Sequence, residues 1–177
     1  MTRIALAAAI LAATAGMASA DVEVFNGNTT GGPTYNRTLA GNPPTSLSAV
    51  GTSVRYQVIP VYTDFSASVL FTINNNVPAA FDTFMSLYAG SFNAATPLAN
   101  ILVASDDVLG SNPQFSRSLT GGLQYFVVVT GFDNADFGTY TLTMSSSTAD
   151  ITIGLVPAPG SLALLGLAGI AAGRRRR

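Results

Sequence analysis

The stretch GTYTLTM, residues 138–144, is the clearest indication of the fold of this protein. Its apolar side chains alternate with threonines, so that Tyr140, Leu142 and Met144 would share one face of an extended chain. Successive side chains of a β-strand point to opposite faces of a sheet. The alternation therefore predicts a strand with one buried and one solvated face.

Similar runs precede this stretch. In SASVLFTI, residues 66–73, Val69, Phe71 and Ile73 would face the core. LQYFVVVTG, residues 123–131, is apolar on both faces, as a central strand would be. SVRYQVIPVY, residues 53–62, also predicts a strand, in which Pro60 requires an edge or a bulge because proline has no N–H to donate.

Turn sequences separate these runs at intervals of roughly ten to fifteen residues, and no helical periodicity is found between residues 21 and 155. This spacing predicts an all-β fold, a single antiparallel β-sandwich that spans residues 54–154. Residues 21–53 are less regular and predict a loose segment or short edge strands. Gly131 and Gly138 bracket the loop FDNADF, where we expect glycines with positive φ to reverse the chain.

The blocks DTFMSLYAG (82–90), SDD (105–107), LTGGLQYFVVVTG (119–131) and GTYTL (138–142) follow one another in order. Together they resemble the bacterial pre-peptidase C-terminal (PPC) domain, over about half of the chain. The resemblance implies a β-sandwich of jelly-roll type. It also implies an accessory module rather than a catalytic one.

The composition restricts the chemistry of the domain. The sequence has no His, Cys, Trp or Lys, and residues 21–159 contain three arginines and nine acids, a net charge of −6. An acidic domain repels phosphate backbones, so nucleic acid is excluded as a partner. Nucleophilic triads and Ser-Lys dyads cannot be built without His or Lys. We therefore expect no enzyme, and a small aspartate-based hydrolase is the remaining catalytic hypothesis.

The loop acids are the candidate metal ligands. Ca²⁺ binds six to eight oxygen atoms of carboxylates, amides and carbonyls, and loops at one end of a sandwich could bring such groups together. Short acidic side chains also stabilise turns through their own backbone, so a structural role is the alternative. A Ca²⁺-dependent carbohydrate-binding module is a further hypothesis, with Tyr62, Tyr88 and Phe92 as sugar-stacking residues. The candidate ligands are Asp82, Asp106, Asp107, Asp133 and Asp136.

Residues 1–20 predict a secretory signal peptide, with its helix ahead of the folded domain. Arg3 precedes an apolar stretch from Ile4 to Ala15, and small residues in MASA come before Asp21. These are the three regions of a signal peptide in their usual order. We therefore expect export, with Asp21 as the first mature residue.

Residues 155–177 form a tail of three parts. An extended Pro-rich segment is followed by an apolar, transmembrane-like helix of Leu, Ala and Gly and then by an arginine cluster, which the positive-inside rule keeps in the cytoplasm. The segment consists of Val156, Pro157, Ala158, Pro159 and Gly160, and the cluster of Arg174, Arg175, Arg176 and Arg177.

This layout resembles the PEP-CTERM sorting signal of Gram-negative bacteria, in a variant with Ala158 in place of the glutamate. The resemblance implies an exosortase-type membrane protease as partner and transient anchoring in the inner membrane. It also implies display on the cell surface or release into extracellular polysaccharide. A plain C-terminal membrane anchor is the alternative.

Overall fold

A computed structural model describes residues 20–74, 81–108, 110 and 112–157. The predicted signal peptide lies outside these residues, apart from Ala20. The tail lies outside them from Ala158 onward, including Pro159, Gly160 and the four terminal arginines. Across the described ranges every regular element is a β-strand, and none of them contains a helix with the length and apolar character needed to cross a membrane.

The described residues form ten strands arranged in two antiparallel sheets, which confirms the prediction of an all-β fold. One sheet has the order β1-β9-β4-β7, and the other has the order β10-β3-β8-β5-β6 with β2 beside β3. The strands are β1 Asp21–Asn28, β2 Thr34–Tyr35, β3 Val54–Thr63, β4 Ala67–Asn74, β5 Thr83–Ala89, β6 Ile101–Ser105, β7 Gln114–Leu119, β8 Tyr125–Gly131, β9 Thr139–Ser146 and β10 Ile151–Ile153.

The main apolar core lies between the two sheets, a β-sandwich-like arrangement. Both sheets contribute fully buried side chains to it, such as Phe71 and Leu142 from one sheet and Leu87 and Val127 from the other. The alternation predicted for β9 and β4 is confirmed, because their inward residues are buried. β8 lies inside its sheet between β3 and β5, as its apolar character on both faces predicts.

Pro60 lies on an interior strand, at a place where one side of that strand has no ladder partner. β2 pairs with residues 54 and 55 of β3, and β10 pairs with residues 61–63. Pro60 falls between these two pairings, where its carbonyl oxygen accepts a bond from the Gly154 N–H at 2.8 Å. The missing N–H of proline therefore interrupts no strand pairing there.

Residues 21–53 belong to the same two-sheet body as the other residues that the structure describes. β1 pairs with β9 along its whole length, from Asp21 opposite Ser146 to Asn28 opposite Thr139. The irregular part after β1 is fixed by backbone bonds, including those that Gly41 exchanges with Ala104 of β6 at 2.9 Å. The same irregular part places the Arg37 side chain inside the body.

The glycines that bracket the loop of residues 132–137 do not have positive φ, so that prediction is wrong. Steric crowding explains why both positions are occupied by glycine. A Cβ atom on Gly131 would collide with the backbone of Asp136, and one on Gly138 would lie 2.9 Å from the Phe81 ring. The two glycines therefore allow the loop to pack closely against the body.

Candidate cation site

The antiparallel pairing of β5 with β6 brings three carboxylates together. Met85, near the start of β5, lies opposite Ser105, the last residue of β6. Asp82 precedes β5 and Asp106 and Asp107 follow β6, so their side chains meet at one end of the sheet. One carboxylate oxygen of each lies within 4.8 Å of the others. We call these three residues the acidic cluster.

Two oxygens of the acidic cluster are buried without a partner. Asp82 Oδ1 and Asp106 Oδ1 have almost no solvent contact, and neither makes a hydrogen bond among the described residues. A buried polar atom without a partner costs about 1–3 kcal/mol, and more when it carries charge. A bound cation would remove this cost, so the pair of unpartnered oxygens favours a cation site over an ordinary acidic turn.

Burial and mutual repulsion both disfavour the ionised forms of Asp82 and Asp106. Burial is the main cause that raises the pKa of Asp82 to about 6, and the charges of Asp107, Asp106 and Asp136 raise it further. Burial and then the charge of Asp107 raise the pKa of Asp106. Arg37 opposes both shifts without cancelling them. The protein thus keeps carboxylates close together at an electrostatic cost, as metal sites do.

Arg37 is the positive group that acts on both Asp82 and Asp106, and its side chain is only 2% exposed. Its Nε donates to the Phe132 carbonyl oxygen and its Nη1 to the Thr38 carbonyl oxygen, both at 2.9 Å. The guanidinium lies 4.2 Å from the centroid of the Phe84 ring and 4.7 Å from that of Phe132. These contacts hold Arg37 in place, so that it supports the acidic cluster from within the body.

Asp133 and Asp136 shape the β8–β9 loop. The Asp133 carboxylate accepts a bond from the Ala135 N–H at 2.7 Å, and the Asp136 carboxylate accepts one from the Asp133 N–H at 3.0 Å. The structure therefore brings three of the five candidate ligands together, whereas the carboxylates of Asp133 and Asp136 accept hydrogen bonds within their own loop. Asp136 still contributes to the negative potential at Asp82.

The chemistry of the acidic cluster suits a hard divalent cation. Ca²⁺ binds oxygen at 2.3–2.6 Å, so two ligand atoms on one ion lie at most about 5 Å apart. The separation of 4.8 Å or less between the carboxylate oxygens meets this limit. Softer metals would require nitrogen or sulfur ligands, and the chain contains neither His nor Cys.

Tyr88 is not available to stack on a sugar, and that expectation is wrong. Its side chain is fully buried, and its hydroxyl donates to the Pro97 carbonyl oxygen at 3.0 Å. Phe92 packs against Tyr35, Tyr56 and Tyr88 with ring centroids 4.8–5.4 Å apart. Tyr88 and Phe92 thus belong to a second small core together with Tyr35 and Tyr56. Tyr62 is half-buried on β3.

The sequence indicates the acids as candidates but gives no sign of Arg37 beyond its charge. An arginine in an irregular polar segment carries no sequence signal of burial, because arginine is rarely buried. The sequence matches no protein-family model, and a search of curated proteins finds no match. The function of the folded body is therefore inferred from its geometry and chemistry.

Proposed function

We propose that this chain is an exported, non-catalytic protein of the bacterial cell surface or extracellular matrix, whose folded body binds Ca²⁺. In this proposal an exosortase-type membrane protease sorts the protein through its C-terminal tail. The observation that carries the proposal for the body is the pair of buried, unpartnered carboxylate oxygens in the acidic cluster.

The limits of the folded body support processing at both ends. Asp21, the expected first mature residue, is also the first residue of β1, and its carboxylate accepts a bond from the Ile151 N–H at 2.7 Å. The last strand ends at Ile153, and the Val156 N–H donates to Gln124 Oε1 at 2.7 Å. Removal of the residues before Asp21 and after Pro157 would therefore leave every described strand intact.

The pairing of the strands supports a jelly-roll type of sandwich, and with it the resemblance to PPC domains. In a jelly roll, eight strands form antiparallel pairs in which the first along the chain pairs with the last, the second with the seventh, and so on inward. The eight strands that remain when the short β2 and β10 are set aside follow this rule: β1 pairs with β9, β3 with β8, β4 with β7 and β5 with β6.

Ca²⁺ in this position would have a structural or adhesive role. The ion would connect the start of β5 with the end of β6, where it would add to the positive charge that Arg37 supplies. Extracellular Ca²⁺ sites work at dissociation constants of about 0.1–1 mM, which is the affinity range we expect here. A Ca²⁺-dependent carbohydrate-binding module is the alternative, in which the bound ion would itself contact a glycan.

Calcium titration tests the proposal for the body. A protein saturated at one hundred times Kd gains about 2.7 kcal/mol of stability, which appears as a rise in melting temperature. We expect this rise for the secreted protein and its loss in Asp107→Asn, because the variant lacks one of the three carboxylates. Asp107 is exposed, so its replacement should leave the fold intact. The matched control is Asp150→Asn, which removes one exposed acid outside the cluster. An equal response of both variants would contradict the proposal.

Mass spectrometry of the mature protein tests the proposal for sorting. We expect an amino terminus at Asp21 and a carboxyl terminus close to residues 157–160. An intact arginine cluster on protein at the cell surface would instead support the plain C-terminal anchor. Purification from a strain without the exosortase-type protease is the control, in which the tail should persist.

A further inference from the structure

An open cleft of about 640 Å³ lies at one end of the two sheets. It lies where β1, β9 and β4 meet, and Gln57 of β3 contributes from the opposite sheet. Sites of about 300–1,000 Å³ hold small ligands in proteins. The lining residues are Asn26, Gly27, Asn28, Gln57, Asn74, Thr139, Tyr140 and Thr141.

The lining of this cleft is polar but uncharged, although the body carries a net charge of −6. Amides, hydroxyls and one glycine make up the part of the lining that the structure describes, and no acid or arginine is among those residues. Phosphate and carboxylate ligands are held by arginine or lysine, and cations by carboxylates. The composition therefore selects against charged ligands.

Hydrogen bonds within the protein fix the orientation of two of the amides. Gln57 Oε1 accepts from the Asn28 N–H at 3.0 Å and from the Tyr140 hydroxyl at 2.8 Å. Asn28 Oδ1 accepts from the Thr30 N–H at 2.8 Å. Because a backbone N–H can bond only to an acceptor, each of these amides has its oxygen engaged and presents its NH₂ group as a donor.

A row of polar side chains extends these donors across the sheet. Asn26, Thr141 and Asn74 lie opposite one another on β1, β9 and β4. The Thr141 hydroxyl donates to Asn26 Oδ1 at 2.9 Å, so this amide is also held by a neighbour. Groups held in place before binding lose little conformational entropy when a ligand arrives.

Gly27 lines the cleft at a position where no side chain would fit. A Cβ atom at this position would collide with the Tyr140 ring and approach Gln57 Oε1 to 2.6 Å. The glycine thus leaves room for the Tyr140–Gln57 pair beneath β1. Burial raises the pKa of Tyr140 well above its usual range, so the hydroxyl stays protonated and continues to hold Gln57 in position.

We infer that this cleft binds a neutral, polyhydroxylated ligand, namely a residue of an uncharged glycan, without the participation of a metal ion. Neighbouring hydroxyls of a sugar both donate and accept, which matches amide NH₂ donors placed beside amide and hydroxyl oxygens. A neutral sugar also carries no charge that the acidic body would repel. This inference is independent of the cation site.

The test measures binding of neutral hexose oligosaccharides of glucose, galactose and mannose to the secreted protein by calorimetry, in EDTA. We expect a dissociation constant near 1 mM or below for at least one of them. Gln57→Glu keeps the acceptor for Asn28 and Tyr140 but loses the NH₂ donor, so the affinity should fall at least tenfold. Asn26→Asp provides a second variant at an exposed position, should Gln57→Glu fold poorly. Ala99→Glu is the control, because it adds the same charge in the exposed β5–β6 loop and should bind normally.

Three results would overturn the inference. The first is the absence of binding by any neutral oligosaccharide at millimolar concentration. The second is equal binding by the cleft variants and the control. The third is binding that requires Ca²⁺ and is lost in Asp107→Asn but retained in Gln57→Glu, which would assign the sugar to the acidic cluster instead.

Discussion

Replacement of Asp82 by asparagine should stabilise the cation-free protein at neutral and alkaline pH. The pKa of Asp82 rises from 3.8 to about 6 on folding, so the folded state holds this proton more tightly than the unfolded state does. Stability therefore falls as the pH rises from about 4 to about 6, and it stays lower above that window. Asparagine has no proton to lose, so the variant escapes this penalty.

The expected gain in stability of the Asp82→Asn variant follows from the pKa shift of Asp82. A shift of about two pKa units corresponds to at most about 3 kcal/mol. Asp82 is partly exposed to water, which screens its interactions, so we expect about 1 kcal/mol. For a body of this length this free energy corresponds to a rise of roughly 3–4 °C in melting temperature.

Urea unfolding in EDTA at several pH values measures this difference. The variant and the wild type should have equal stability near pH 4, diverge between about pH 4 and about pH 6, and keep a constant difference above that range. With saturating Ca²⁺ the order should reverse, because the wild type gains ligand-linked stability and the variant loses a ligand. A variant that is less stable than the wild type in EDTA at pH 8, or that responds to Ca²⁺ like the wild type, would contradict this prediction.

Three further substitutions test contacts of the body by urea unfolding. Arg37→Met should lower the free energy of unfolding by about 3 kcal/mol, because it leaves two carbonyl oxygens unpaired and removes the charge that opposes the acids. The control is Arg55→Met, which should cost less than about 1 kcal/mol, because the Arg55 guanidinium only lies 4.3 Å from the Phe137 ring centroid. Equal losses in the two variants would contradict this prediction. Tyr125→Phe should cost about 1 kcal/mol, because its oxygen accepts a backbone N–H bond at 2.9 Å, and an unchanged midpoint would be inconsistent with that role. Gly131→Ala should cost about 2–3 kcal/mol through backbone collision, whereas Gly90→Ala has open space and only the strain of φ +73°, so its loss should be smaller.

The sequence predicts best the strands that have one solvent-exposed face and the strand that is apolar on both faces. In β9 buried positions alternate with more exposed ones along the whole strand, and β4 follows the same period up to Phe71, after which Thr72 is buried as well. β8 has an apolar sequence on both faces, and its neighbours on either side are β3 and β5. In these segments the local pattern and the tertiary packing require the same arrangement, so the sequence alone is sufficient.

Other features depend on contacts between distant segments, which a single sequence does not reveal. β1 carries exposed valines at 22 and 24, so its pattern is weak, and its place in the sheet comes from pairing with β9, more than one hundred residues away. The convergence of Asp82 with Asp106 depends on the register of β5 against β6. Gly131 looks like a turn residue in the sequence, but its purpose is the close approach of the Asp136 backbone.

The place where the chain leaves the folded body gives that body a direction. Val156 is bonded to Gln124, immediately before β8 begins, whereas Phe132 N–H, immediately after β8 ends, bonds to the carbonyl oxygen of Asp82 at 2.9 Å. The seven residues of β8 separate these points by roughly 20 Å. If the protein is tethered through its carboxyl terminus as proposed, the acidic cluster would lie at the end of the body farther from the anchoring surface. It would then face neighbouring cells and secreted polymers.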